Sequence, residues 1–289
     1  MSDYLLGALL GIIEGLTEFL PVSSTAHLRI FEALAGIDLS NGYWKMFSIV
    51  IQLGAILCLP IYFRERIGRL AASFPRDARD PRAWAAHPLT LTALAFVCTA
   101  VPSLVLIKLI GKHLESLVVM GVALVAGGAV MWVVDALFDR GALRTRTEQM
   151  EAMGPGQAAW IGGCQILSAV FPGTSRSMST IAAGQLAGMT RAAALEFSFF
   201  LSMPTMVAAT GYDLLKTLRN AETSPLGAVR MTPHGWVVLG IGFVMSFIVA
   251  YGVVAWFMGW VRRRGLAPFA LYRIAAGAAV LWWVAQGAH

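Results

Sequence analysis

Six long apolar segments, at residues 43–63, 89–110, 116–138, 193–215, 235–260 and 267–286, constrain this chain more than any other feature. Each is long enough to cross a hydrocarbon core of about 30 Å as a helix rising about 1.5 Å per residue. A backbone in lipid must satisfy its own N–H and C=O groups, which a helix does within itself. Only 13% of residues are charged and 57% are hydrophobic, against roughly 25% charged in soluble domains. The sequence therefore predicts an all-α polytopic membrane protein. The net charge of +6 resides in short loops between apolar runs, which fits membrane topology rather than a nucleic-acid partner. Cys58, Cys98 and Cys164 all lie in apolar stretches, at spacings that fit neither a disulfide framework nor a zinc site. Asp3 stands where a cleavable signal peptide would carry a basic residue, so none is expected.

Two further apolar stretches make poor spans. Residues 4–21 run into the polar tail PVSSTAH, and residues 156–189 are interrupted by FPGTSRSMST. Proline, glycine and charge are tolerated at membrane depth where the backbone is buried in protein or lines a cavity. Both stretches are read as re-entrant helical hairpins. Basic residues set the orientation. Loop 64–88 carries Arg64, Arg66, Arg69, Arg76, Arg79 and Arg82; loop 139–155 carries Arg140, Arg144 and Arg146; the 261–266 turn carries Arg262, Arg263 and Arg264. The opposite loops hold only Arg29, Lys112, Lys216, Arg219 and Arg230. With the richer set inside, both termini lie outside. The first hairpin then enters from outside and the second from inside.

The hairpins resemble each other. At an offset of 151 residues, Pro21 falls on Pro172, Ser24 on Ser175, Leu16 on Leu167, Glu14 on Gln165 and Gly11 on Gly162. Phe47-Ser48 matches Phe197-Ser198 at an offset of 150. Residues 1–138 and 156–289 each read as one hairpin plus three spans within a single membrane domain. Three spans reverse the direction of entry, so the second copy is inverted. In inverted repeats, polar sites gather near the midplane.

Glu14 and Glu18 stand at i, i+4 and share a helix face. A charge at mid-membrane costs about 2.5–3.5 kcal/mol on insertion scales, and a facing pair adds repulsion. A cation between them relieves both costs: a divalent metal such as Mg²⁺ or Ca²⁺, or Arg176 of the other hairpin. The blander reading puts the pair in a water-filled vestibule. Pro21 ends or kinks the first helix. Ser23, Ser24 or Thr25 can cap the next, which explains one hydroxyl but not His27. His27, three residues after Ser24, can take its proton and make it a nucleophile. In the second hairpin Gly173, Thr174, Ser175, Ser177, Ser179 and Thr180 surround Arg176, whose planar fork suits phosphate oxygens. A glycine turn opening a helix adds backbone N–H groups for an anion. The bland alternative is a capped helix whose Arg176 only pairs with Glu14 or Glu18. His87, His113, His234 and His289 read as solvated, and Asp135 and Asp213 as snorkelling near span ends. Gln52 and Glu196 are weaker candidates for the site.

EGLTEFLPVSSTAH and PGTSRSMST resemble the two signature segments of the bacterial undecaprenyl-diphosphate phosphatase family, associated with bacitracin resistance. The resemblance covers essentially the whole chain. One departure is Ala26, where glycine is common in the family. The resemblance implies an inner-membrane enzyme that hydrolyses undecaprenyl diphosphate to the monophosphate and phosphate, recycling the lipid carrier of envelope polymers. It implies an essential set of Glu14, Glu18, Ser24, His27 and Arg176, supported by Ser23, Ser175, Ser177 and Thr180. A divalent cation on Glu14 and Glu18 is expected, with Thr25, Gly173 and Thr174 also against substrate and the site open to the periplasmic face. Ser24 activated by His27, or water activated by His27, would attack the terminal phosphorus. A homodimer is one assembly the sequence allows. The competing class is a lipid or ion-coupled transporter, because inverted repeats with broken helices also mark secondary transporters. A phosphatidic-acid-type phosphatase would need a second histidine in a long basic motif, which the sequence lacks.

Overall fold

The computed structural model describes residues 2–37, 42–75, 81–106, 116–142, 145–219 and 232–287. Arg76, Arg79, Lys112, His113, Arg144, Arg230 and His289 lie outside these residues, as do the side chains of Arg82, Asp213, Lys216 and Arg219. Among the described residues, twelve α-helices run in chain order: α1 Asp3–Thr17, α2 Ser24–Leu34, α3 Gly42–Tyr62, α4 Arg64–Ala72, α5 Pro81–Ala86, α6 Pro88–Val105, α7 Leu117–Asp139, α8 Pro155–Val170, α9 Arg176–Leu186, α10 Arg191–Arg219, α11 Pro233–Arg263 and α12 Ala267–Ala285. Six of them, α3, α6, α7, α10, α11 and α12, are long and apolar enough to cross a membrane, in agreement with the six predicted segments. Val101, Leu104, Val130, Val133, Ile248 and Leu271 face outward and exposed. An apolar exterior of this extent suits lipid as solvent. The chain is a multi-pass membrane protein.

Local chemistry explains where the helices begin. Ser2 caps α1 and Ser116 caps α7, each by accepting an amide hydrogen bond from the residue three positions on. Thr232 does the same for α11, followed by Pro233 at a position where no N–H is needed. Loop 64–88 contains two short helices, α4 and α5. Arg66 ties α4 to the bundle through hydrogen bonds to Glu196 and Glu151, both at 2.8 Å. Burial works against its charge, but the hydrogen bonds and fields of the two carboxylates outweigh it and raise its pKa.

Each broken stretch is two helices at an interruption: α1 and α2, then α8 and α9. The first helix of each unit packs on a span from the other half of the chain, α1 on α11 and α8 on α6. Between the halves, α7 lies along α12 and α3 against α10. Gly11 and Gly162, equivalent in the sequence comparison, make these approaches close. A methyl on Gly11 would meet the backbone of Gly242, and one on Gly162 the backbone of Ala95. Small residues of this kind let membrane helices touch backbone to backbone.

The register of the repeat needs one correction beyond the break. Ser23 and Ser175, not Ser24 and Ser175, are the equivalent pair. Both have positive φ, 76° and 73°, and both cap the helix that follows. The second loop therefore holds one more residue than the first, and Ser24 corresponds to Arg176. Asp135 is also not a snorkelling residue. It is 1% exposed, pairs with Arg191, and accepts amide hydrogen bonds from Leu266 (2.7 Å) and Ala267 (3.0 Å) at the start of α12. His87 is buried, where it caps α6 through the Leu89 amide.

Candidate active site

The two breaks meet inside the bundle. α1 carries Glu14 on its buried face, and Glu18 follows at its C-terminal cap. Ser24 opens α2, and Arg176 opens α9. Ser24 Oγ donates to Glu18 Oε2 at 2.6 Å, and Arg176 Nη2 donates to Glu18 Oε1 at 3.1 Å. One carboxylate thus joins a hydroxyl of the first unit to a guanidinium of the second. Arg176 Nη1 also reaches the carbonyl of Ser198 at 3.4 Å. Thr180 fixes this corner, donating to or accepting from the Ser198 hydroxyl at 2.7 Å.

The hydroxyls around Arg176 are mostly spent on holding the second break. Ser175 accepts from the Met178 amide and sits 3.0 Å from Ser177 Oγ. Ser177 donates to the Leu20 carbonyl at 2.9 Å, a direct stitch between the units. Ser179 and Thr180 bond back to the Ser175 and Arg176 carbonyls. Ser23 caps α2 through the Ala26 amide, and Thr25 lies half-buried in the first turn of that helix. Gly173 sits at φ 95°, where a side chain would be strained and would also meet the backbone of Met120.

The expected Ser24–His27 pair does not form. His27 Nδ1 lies 2.7 Å from the Ser23 carbonyl, which fixes the hydrogen on Nδ1. Nε2 then accepts from the Tyr272 hydroxyl at 2.7 Å, with the two rings stacked. Spacing of i, i+3 brought His27 near Ser24 along the helix. The ring instead turns to the carbonyl one helical turn behind it. The carboxylate in contact with Ser24 is that of Glu18. Glu196 is also outside the site, since it pairs with Arg66.

Glu14 is the unexplained group. It is 0% exposed, and neither of its carboxylate oxygens has a hydrogen-bond partner. Burying such a group unpaired is costly, so it calls for a cation or a proton. Among the described residues no group of three or more His, Cys, Asp or Glu side chains is placed to hold a metal alone. Two carboxylates nonetheless suit Mg²⁺, which keeps waters and takes phosphate oxygens from its substrate. Glu14 and Glu18 fit that role.

A model of the bacitracin resistance protein BacA family matches residues 7–279. The chain belongs to that family. It is 67% identical over 286 residues to an undecaprenyl-diphosphatase of Koribacter versatilis, covering 98% of this chain and 99% of the relative. An undecaprenyl-diphosphatase of Thermus thermophilus is 41% identical over 272 residues, covering 93% of each chain. One of Caldanaerobacter subterraneus is 39% identical over 278 residues, covering 96% of this chain and 95% of the relative. Two residues of α12 escaped the sequence reasoning: Tyr272, on His27, and Arg273, fully buried between the breaks. An arginine inside an otherwise apolar span was the signal for the second. No comparable signal marked the first.

Proposed function

We propose that this chain hydrolyses undecaprenyl diphosphate to undecaprenyl phosphate and inorganic phosphate, recycling the lipid carrier of envelope polymer synthesis. The observation that carries the reading is the Ser24–Glu18–Arg176 chain, built from two broken helices inside an apolar bundle. A diphosphate on a long polyisoprenyl tail needs such a site: charged groups within reach of lipid. Family membership and the names of the relatives support the same substrate. Ser24 Oγ attacks the terminal phosphorus while its proton passes to Glu18 Oε2. The bond from that phosphorus to the bridging oxygen breaks, and undecaprenyl phosphate leaves with the electron pair. The proton on Glu18 passes to the departing undecaprenyl phosphate. Water then attacks the Ser24 phosphoester and gives a proton to Glu18, the bond from phosphorus to Oγ breaks, phosphate departs, and Glu18 returns the proton to Ser24 Oγ. Arg176 turns from Glu18 to the phosphate oxygens, joined by amides at the start of α9. His27, oriented by Tyr272 and the Ser23 carbonyl, lies one turn beyond Ser24 and would serve as a further acid–base group. A divalent cation held by Glu14 and Glu18 would neutralise charge on the diphosphate. Phosphoryl transfer relies mainly on such positioning and charge stabilisation.

The test is phosphate release by the purified full chain given undecaprenyl diphosphate. Stoichiometric phosphate supports the enzyme; lipid movement across a vesicle membrane without hydrolysis would make it a transporter. The basic loops further support an inner-membrane enzyme with its site open to the periplasmic face. Cysteines replacing Ser2 and Ala78, each in a cysteine-free chain, read this out with an impermeant thiol reagent on intact cells. Labelling at 2 and not at 78 is expected, and the reverse would turn the site toward the cytoplasm.

A further inference from the structure

The Arg273 guanidinium is buried at 0% exposure in the middle of α12. Nη1 donates to the carbonyl of Pro21 at 3.0 Å, in the first break. Nη2 donates to Gly173 (3.1 Å) and Thr174 (2.9 Å), in the second break, and to Ala123 of α7 (3.1 Å). Four carbonyls from three segments converge on one side chain. Broken helices leave carbonyls without intrahelical donors, and lipid supplies none. A planar fork with two separate nitrogens can serve two breaks at once, whereas a lysine ammonium is a single centre. Gly127 of α7 leaves the space: a methyl there would collide with Arg273 Nη2.

We propose that Arg273 is a positioning residue for the reaction, locking the two breaks in register so that Ser24 and Glu18 of one unit face Arg176 of the other. The proposal rests on the phosphatase reading above. Pro21 lies three residues before Ser24, and Thr174 two before Arg176, so the clamp grips the backbone just ahead of both groups. A merely structural brace would hold the bundle together without setting that alignment. Asp135, which binds Arg191 and the start of α12, is such a brace and stands outside the site.

The test compares wild type, Arg273→Lys, Gly127→Ala and Asp135→Asn as purified full chains, each assayed for thermal unfolding and for kcat and KM with undecaprenyl diphosphate. For Arg273→Lys, kcat should fall about 100-fold, as misplacement by an ångström does, with KM within about threefold of wild type. Gly127→Ala, which keeps the arginine but displaces it, should lower kcat about 10-fold. Asp135→Asn should lower the unfolding temperature and keep kcat at a temperature where it is folded. Combined with Arg176→Lys, Arg273→Lys should add less than its separate effect, because both act on one alignment. Wild-type kcat in folded Arg273→Lys, or in Gly127→Ala should the lysine variant not fold, overturns the proposal. So does a kcat loss that follows the unfolding temperature equally in Asp135→Asn. Absence of phosphate release in the wild type would instead defeat the phosphatase reading itself.

Discussion

Ser23 and Ser175 hold the same unusual backbone, and each caps the helix after a break. A non-glycine residue in such a conformation costs about 1–3 kcal/mol and persists only where its surroundings enforce it. What stands around the two serines differs. In the first unit Glu14 is buried without a partner; its counterpart in the second, Gln165, donates to Thr99 and Thr205 at 3.1 and 3.2 Å. Glu18 matches Ala169, and with the corrected register His27 matches Ser179, whose hydroxyl bonds the same carbonyl that the His27 ring does in its own unit. Ser24 matches Arg176. The two breaks share a backbone geometry and differ in the side chains they carry. On the reading proposed above, the first unit would carry the acids, the imidazole and the nucleophile, and the second, neutral except for one guanidinium, would hold the anion.

That division can be broken from either side. The largest effect should come from Glu18→Gln, which removes the carboxylate that accepts from Ser24 and is proposed as its base: kcat should fall about 1,000-fold, read as phosphate release. A fall of less than about 10-fold would hand the base role back to another group, His27 first. Next comes the holding side. Arg176→Lys should lose about 100-fold in kcat/KM, nearly as much as Arg176→Ala, because lysine keeps the charge and loses the fork. Near-normal rates with lysine would reduce Arg176 to a point charge.

The spans and the acidic pair were legible because both follow from solvation: length and apolarity make a span, and a carboxylate in such a stretch is expensive enough to require a reason. Arg176 stood out likewise. Arg273 carried the same signal but sat within a stretch that passed as an ordinary span. The Ser24–His27 pairing failed because helical spacing places two residues on one face without saying where a ring turns. The likeness of the two breaks was visible through Pro21 and Pro172, yet its register slipped beyond them, since matching letters favour Ser24 over Ser175 and only the backbone angles pair Ser23 with Ser175. Tyr272 lies 245 positions from His27, and only the packing of α12 beside α7 and the breaks brings them together.

Smaller effects sharpen the comparison. Glu14→Gln makes the first unit resemble the second at this position. It should lower kcat about 10-fold and raise the Mg²⁺ concentration needed for half-maximal rate, with activity partly restored at higher Mg²⁺. An unchanged Mg²⁺ dependence would detach Glu14 from the cation. The smallest change, Tyr272→Phe, removes one hydrogen bond from His27 Nε2 and should cost about 5-fold in kcat, about 1 kcal/mol. No change at all would leave Tyr272 as packing.

The division of labour is tested most directly by binding without turnover. A prenyl diphosphate analogue with a methylene bridge between its phosphorus atoms would be titrated calorimetrically, at saturating Mg²⁺, into wild type, Glu18→Gln and Arg176→Ala. Glu18→Gln should bind as tightly as wild type or more so, having lost a negative charge. Arg176→Ala should bind about 10- to 100-fold more weakly, the worth of a charged hydrogen-bond pair. Weak binding by Glu18→Gln beside undiminished binding by Arg176→Ala would contradict it, placing the anion on the first unit and not the second.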